Sequence, residues 1–354
     1  MLSYEIQAVR DVALRAKATE TNDKIAIKSI LKRNACNGYN ANLLIQQLLS
    51  SCSVTLNFHP DRLVNNGRTI IENMMADGQY KSQFVTGTTN GGRTAFLGGE
   101  RDIWERNMFR GAYHTGEETF IHRPKYGALN IHHYLDGASP RFGSCYFTLS
   151  TDALERCTFA FGDSSTDPQA LGTRDAFCAV LRALLMDVEN TGRLLNKECF
   201  NVRKAIDYIA SIKKNDMDGL GRNLDHCIET HIHGDVSLRS DIDSLYLDES
   251  FRHTDIHKQA EALCNKYQIE LFWIPERSIN VSSIDDEFRG PAIPVLAKRI
   301  ESHFQLSDGL INAEVIGRAS RFTSQHPDAW SDIGNEQELF QYLKQLWHTV
   351  AYFG

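Results

Sequence analysis

The stretch VTLNFHPDR, Val54 to Arg62, constrains this chain most. Val54, Leu56 and Phe58 alternate with Thr55, Asn57 and His59, the period of two expected of a strand. Pro60 lacks a backbone donor and biases His59 toward extended backbone, so the strand ends there. A strand of this kind delivers His59 and Arg62 to a rim, where an imidazole and a guanidinium can meet an anionic or polar ligand. The same residues also fit an ordinary strand end with its turn. What favours a shared cleft is the number of polar, Gly-rich segments downstream.

Helical periodicity surrounds that strand. Leu43, Leu44, Leu48 and Leu49 form a stripe behind a cap at Asn40 or Asn42. Ile70, Ile71, Met74 and Met75 mark a helix closed by Gly78. Tyr80 to Gly92 reads as a short strand entering a polar loop, and Gly99 to Tyr113 as a helix with Ile103, Trp104, Met108 and Phe109 apolar. His122 to Ser150, dense in Gly, Pro and aromatic residues, reads as loops with short strands, Phe142 to Leu149 the most strand-like. Arg156 to Ser165 reads as a strand and turn. Phe177, Val180, Leu181, Leu184, Leu185 and Val188 share one helical face, and Val202, Ile206 and Ile209 another.

His226 to Gly234 is β-like, Asp241 to Asp248 is expected to support it nearby, and Gln268 to Pro275 adds a strand. Helical pattern returns from Pro291 and ends on Leu339, Leu343 and Leu346. The fold class expected is α+β, a β-rich core between helical ends. The segments expected are an N-terminal helical part at 1–52, a core at 53–275 and C-terminal helices at 276–354 packed on the core as support.

Charge narrows the partners. Acidic residues number 45 against 38 basic ones, for a net charge of −7, which disfavours nonspecific nucleic-acid or anionic-membrane binding. No apolar run reaches transmembrane length, and MLSYEIQAVRDVALRAK lacks a signal-peptide core, so export would need a route other than a cleaved signal. Eight cysteines without a CxxC pair suggest reduced, mostly buried thiols, with no structural zinc site and no disulfide framework.

HCIETHIHG, His226 to Gly234, is the sharpest local signal. In a strand Cys227, Glu229, His231 and His233 share one face. A carboxylate and two imidazoles together suggest a metal site or an acid/base site, and satisfied structural histidines are the plainer reading. The metal reading needs further ligands from Asp235, His253, Asp255 or His257, and no HExxH accompanies it. TGTTNGGR, Thr86 to Arg93, can wrap a phosphate with backbone amides, although it is neither a Walker A loop nor GxGxxG. Tyr126 with Gly127, and Phe142 with Gly143 and Ser144, are either tight turns or places where a ligand nears the backbone beside an aromatic face.

Taken in order, VTLNFHPDR, SQFVTGTTNGG, GGERDIWERNMFRGAYH, RPKYGALN, SPRFGSCYFTLS, FAFGDS and IETHIHGDVSL with DIDSLYLDESF form a long series over roughly residues 50 to 255. In that series the chain resembles the CteC family of bacterial effector ADP-ribosyltransferases. The resemblance implies an ADP-ribosyltransferase-like split β core that uses NAD⁺ as substrate, without a metal. It further implies ubiquitin as protein partner, a threonine hydroxyl as acceptor, and delivery by a pathogen into the host cytoplasm.

By the same resemblance Glu229 matches the catalytic glutamate, and the basic residue of the first strand falls on His59 or Arg62. Thr86, Gly87 and Asn90, with Tyr126, Gly127 and Asn130, would line the NAD⁺ cleft, and Ser144 would be a second-strand hydroxyl. The chain departs from the family pattern at three places. Val85 stands where an acidic residue is expected in the QFxTG run. Cys227, two before Glu229, replaces the Glu or Gln of many ADP-ribosyltransferases, which counts against arginine as acceptor. His231 is an unusual neighbour of Glu229.

The chemistry agrees with these residues. Breaking the nicotinamide–ribose bond builds oxocarbenium-like charge that a fixed carboxylate at Glu229 would stabilise. Two other readings stand beside this one: a metal-dependent hydrolase on Glu229, His231 and His233, and a non-catalytic ubiquitin-binding module.

Overall fold

The computed structural model describes the chain except Asn65, residues 88–93, Cys199, residues 215–216 and the side chains of residues 117 and 118. Its first six strands are Val54–Phe58 (β1), Gln79–Tyr80 (β2), Lys125–Leu129 (β3), Cys145–Leu149 (β4), Cys157–Phe161 (β5) and Leu171–Thr173 (β6). Ile228–Ile232 (β7), Val236–Ser237 (β8), Ile242–Asp248 (β9), Glu270–Ile274 (β10), Ser278–Asn280 (β11) and Leu310–Asn312 (β12) follow. The helices begin with Ser3–Arg33 (α1), Ala41–Ser51 (α2), Ile70–Asp77 (α3), Gln83–Thr86 (α4) and Glu100–Met108 (α5). Cys178–Thr191 (α6), Val202–Ser211 (α7), Asp255–Tyr267 (α8), Ala292–Phe304 (α9), Ala313–Gln325 (α10) and Glu336–Phe353 (α11) complete them. The fold is α+β.

Eight strands share one sheet in the order β10-β9-β4-β1-β3-β7-β5-β6. Neighbours run antiparallel except β9 and β10. The expectation that Asp241 to Asp248 supports the His226 to Gly234 strand nearby is corrected here: β4, β1 and β3 stand between β9 and β7. The reason is local. Strand β7 is already flanked by β3 and β5, so neither of its edges is free for the strand that follows.

Strand register divides the sheet into two unlike faces. The pairs Val54↔Leu129, Leu56↔Phe147 and Phe58↔Cys145 place these six apolar residues on one side. They belong to a single cluster with Leu44 and Leu48 of α2, Leu181 and Leu184 of α6, Ile206 of α7 and Leu263 of α8. Each such side chain contributes about 1.5–3 kcal/mol by leaving water. The cluster runs on into Leu296, Leu343 and Trp347, so the C-terminal helices share the core of the sheet. The other face carries Thr55, Asn57, Tyr126, Glu229, His231 and Thr158 by the same registers.

On that polar face the sheet parts. Among the described residues β1 and β3 share two pairs, Val54↔Leu129 and Thr55↔Ala128, with the Asn130 N–H donating to Ser53 O at 2.8 Å beside them. Beyond Thr55, β1 follows β4 while β3 follows β7. Gly127 lets the seam close at its narrow end, since a Cβ there would lie 2.7 Å from Thr55 O. Helix α3 sets the adjoining edge. Thr69 and Glu72 cap it reciprocally, and Gly78, at φ +70°, ends it and turns the chain into β2 and α4.

The seven described cysteines are free and buried. No described helix is long and apolar enough to cross a membrane.

Candidate functional site

A cleft lies over the seam, lined by Thr55 and Asn57 of β1, Lys125, Tyr126 and Gly127 of β3, Cys227 and Glu229 at β7, and Arg101 of α5. One wall is the loop 136–143, and β1 holds it in place. Thr55 Oγ1 accepts the Ala138 N–H at 2.9 Å, and Asn57 Nδ2 donates to Asp136 O at 3.0 Å. The Asp136 carboxylate accepts N–H groups of Gly221 and Arg222 at 2.8 and 3.0 Å and pairs with Arg277 at 2.9 Å. Trp347 Nε1 of α11 donates to Pro140 O at 2.8 Å. The C-terminal segment thus braces this wall.

The opposite wall is α5, which buries Met108 and Phe109 of its expected apolar set but buries charged residues beside them. Its charged residues Arg101, Asp102 and Glu105 are buried, and Ile103, taken above as part of an apolar set, is 51% exposed. The charges turn inward because Arg123 meets them. Arg123 Nη1 donates to Glu105 Oε2 at 2.8 Å, and Nη2 donates to Asp102 Oδ1. His114 Nε2 contacts the same Asp102 oxygen at 2.9 Å. Tyr126 donates its hydroxyl to Glu105 Oε1 at 2.8 Å. Burial, with the Glu105 charge adding, holds the Tyr126 phenol well above its ordinary value, so it remains a neutral donor. The Arg101 guanidinium stacks over the Tyr126 ring at 4.4 Å, and its Nε and Nη1 have no hydrogen-bond partner among the described residues.

Glu229 projects from β7 into this setting, 6% exposed. Its Oε1 accepts the Ser164 N–H at 3.2 Å and lies 2.8 Å from His231 Nε2. Oε2 has no hydrogen-bond partner among the described residues. A carboxylate oxygen, uncommitted guanidinium donors and a neutral aromatic face therefore converge in one cleft. They suit a polar ligand that has hydroxyls for the carboxylate, oxygens for the guanidinium and a flat ring for Tyr126.

Of the residues named from sequence, Glu229, Tyr126 and Gly127 come together here, and Gly127 acts through strand approach. Gly87, at φ +64°, caps α4, and Thr86 lines an adjoining hollow with Phe58, Ile70, Met74 and Tyr80. Asn90 lies outside the described residues, as does most of the Gly-rich loop. Asn130 sits at the far end of β3, where its side chain both donates to Tyr134 O and accepts the Tyr134 N–H at 3.0 Å. It is committed to a turn.

His59 stands four residues past Thr55, about 13 Å along the strand. Its ring packs edge-on against Trp347 at 5.3 Å. Burial, then Arg62 and His348, hold that imidazole well below its ordinary value. Arg62 is buried beside Asp61, and its guanidinium is lowered by that burial. Ser144 lies just before β4, with its hydroxyl 3.7 Å from Cys145 Sγ. None of His59, Arg62, Asn130 and Ser144 is among the residues lining the Glu229 cleft. Glu229, His231 and His233 are strung away from the cleft in a line, and no described group of three His, Cys, Asp or Glu is placed to hold a metal ion.

The sequence reading gave no role to Arg101, Glu105, Arg123 or Ser164. A signal existed in GERDIWER: Arg101, Asp102 and Glu105 fall on one helical face, with Ile103 off it. An amphipathic helix whose charged face turns inward needs a counter-ion from elsewhere, and Arg123 in HRPKYG supplies it.

Fold and cleft together define an α+β protein with a polar site on a parted sheet. The chain belongs to the family described as Protein of unknown function (DUF3626), whose model matches residues 53–353. That span takes in every strand and the C-terminal helices, and leaves α1 and α2 outside. No curated protein matches the chain.

Proposed function

We propose that this protein is an NAD⁺-dependent mono-ADP-ribosyltransferase of the CteC-like kind, with an ADP-ribosyltransferase-like split β core, and that it modifies ubiquitin on a threonine hydroxyl. The observation that carries the reading is Glu229: a buried carboxylate, anchored through Oε1, in a cleft over the parting of β1 and β3, shared with Arg101 and Tyr126. In the proposed reaction the C1′–N bond to nicotinamide breaks and its electron pair leaves with nicotinamide. The threonine oxygen forms the new bond to C1′ and releases its proton. Glu229 accepts a ribose hydroxyl and opposes the positive charge that develops on the sugar. Arg101, rather than His59 or Arg62, is the cation positioned to hold anionic or ribose oxygens beside it, and Tyr126 offers the stacking face. Action inside a host cell, after delivery by a pathogen, belongs to the same proposal.

Incubation with NAD⁺ and ubiquitin, followed by intact-mass spectrometry, tests it. One added ADP-ribose, stable to hydroxylamine, is the expected product. An unshifted ubiquitin at high enzyme and NAD⁺ removes the assignment of this substrate. Label on an arginine or glutamate side chain removes the threonine acceptor. Ubiquitin binding with no consumption of NAD⁺ would make the protein a binding module.

A further inference from the structure

His231 and His233, which the proposed chemistry leaves without a task, belong to one hydrogen-bonded line. Tyr113 Oη lies 2.6 Å from His233 Nδ1, and His233 Nε2 lies 3.0 Å from Thr158 Oγ1. Thr158 Oγ1 is 3.1 Å from His231 Nδ1, whose Nε2 reaches Glu229 Oε1. The first four members of this line are almost wholly excluded from solvent. Phe109 packs edge-on against both imidazoles, at 5.5 and 5.0 Å, and Tyr126 against His231 at 5.2 Å.

The proton count along this line has few solutions. Thr158 has one hydroxyl proton and two imidazole neighbours, so it donates to one ring and accepts from the other. Each neutral ring carries one N–H. In one polarity Tyr113 donates to His233 Nδ1, His233 Nε2–H donates to Thr158, Thr158 donates to His231 Nδ1, and His231 Nε2–H donates to an ionised Glu229. In the reverse polarity His231 Nε2 is bare, and two acceptors would face each other unless Glu229 were protonated. The surroundings decide between them. Oε1 already accepts the Ser164 N–H, so the same oxygen is an acceptor for an Nε2–H on His231. Burial disfavours an imidazolium at His233, and His231, Lys125 and Arg156 beside it act in the same direction.

We propose that Tyr113, His233, Thr158 and His231 are positioning residues that fix both imidazoles as Nε2–H tautomers and thereby hold Glu229 oriented. The catalytic use of that arrangement rests on the function proposed above; the tautomers themselves do not.

Long-range nitrogen–proton correlation spectra of the full chain, labelled with ¹⁵N-histidine, test the tautomers directly. His231 and His233 are both expected to carry a proton at Nε2 and a bare Nδ1. Protonation of either ring at Nδ1 overturns the assignment. Thr158→Ser keeps the hydroxyl and Thr158→Val keeps the shape. Turnover by Thr158→Ser should stay near that of the wild type, with both tautomers intact. Thr158→Val should mix the His231 tautomers and lower kcat by about 10- to 100-fold, as loss of a supporting partner typically does, with KM little changed. Equal kcat and equal spectra for the two variants overturn the positioning role. If the wild type never modifies ubiquitin, the proposed substrate falls, and the spectra still decide the tautomers.

Discussion

The cleft wall at α5 and the end of β1 beneath α11 are both crowded with buried ionisable groups, and they treat charge in opposite ways. At the cleft, Arg123 answers Asp102 and Glu105, and Glu105 also accepts from Tyr126. At the β1 end, Asp61 Oδ2 and both ring nitrogens of His348 have no hydrogen-bond partner among the described residues. Burial pushes the Asp61 carboxyl up to about 6, and it drives the His348 imidazole down to about 2, with Arg289, Lys344 and Arg141 adding to the effect. Burial raises the Glu105 carboxyl too, but hydrogen bonds from Arg123 and Tyr126 oppose it, whereas Asp61 Oδ2 and the His348 ring nitrogens have no such side-chain partners among the described residues. Depth of burial is therefore a poor guide to function; what separates the regions is whether the buried groups are paired.

The largest effect that would expose this difference is on stability. Arg123→Met strands two buried carboxylates and should cost about 3–5 kcal/mol, read as a fall in the urea midpoint. His348→Phe removes an imidazole that no described side chain pairs with and should stay within about 1 kcal/mol of the wild type near neutral pH, in either direction. Equal losses from the two substitutions would break the comparison.

Next in size is Glu229→Gln, which keeps the shape and removes the charge. Single-turnover transfer of ADP-ribose should fall by about 10²- to 10³-fold, while NAD⁺ affinity measured by calorimetry changes far less because the ground-state ribose is uncharged. Near-normal transfer would place the catalytic carboxylate elsewhere.

The smallest effects, taken per pH unit, are in pH dependence. The His348 pKa is lower in the folded chain than in the unfolded one, so its contribution to stability is complete above about pH 6.5 and is lost as pH falls below that. The Asp61 pKa is higher when folded, so its contribution is present below about pH 4 and is lost as pH rises toward 6. His348→Phe should flatten the acid side of the stability profile by up to one proton, about 1.4 kcal/mol per pH unit. Asp61→Asn should remove a slope of the opposite sign. Urea midpoints across a pH series measure both, and slopes unchanged in both variants would mean that these groups titrate normally when folded.

Much of the architecture was legible in local pattern. The strand at Val54, the α6 face from Phe177 to Val188 and Gly78 as the end of α3 all follow from spacing and backbone preference, and of the two caps expected for α2, Asn40 or Asn42, the chain uses Asn40. Glu229 could be read as well, because strand parity sets it beside His231 on one face. What stayed hidden depends on groups distant in sequence. Nothing local says that Arg123 will draw Asp102 and Glu105 inward, or that α11 will close over His59. Nor does adjacency in sequence reveal that β9 joins the sheet three strands away from β7. The two nitrogen-bearing candidates on VTLNFHPDR, His59 and Arg62, were chosen for being at a strand end, and it is the C-terminal helices that determine what that end faces.

The short seam between β1 and β3 bears on how such a protein can change over time. Two residue pairs cannot fix the angle at which the two half-sheets diverge, so that angle is governed by the apolar helices packed behind both of them. Leu181 and Leu184 of α6 belong to that layer and line no part of the cleft, so a change in their volume is a route by which the angle could shift. The gap over Glu229 can thus drift to suit a larger or smaller ligand through changes in the oily layer alone, while the polar residues that meet the ligand stay as they are.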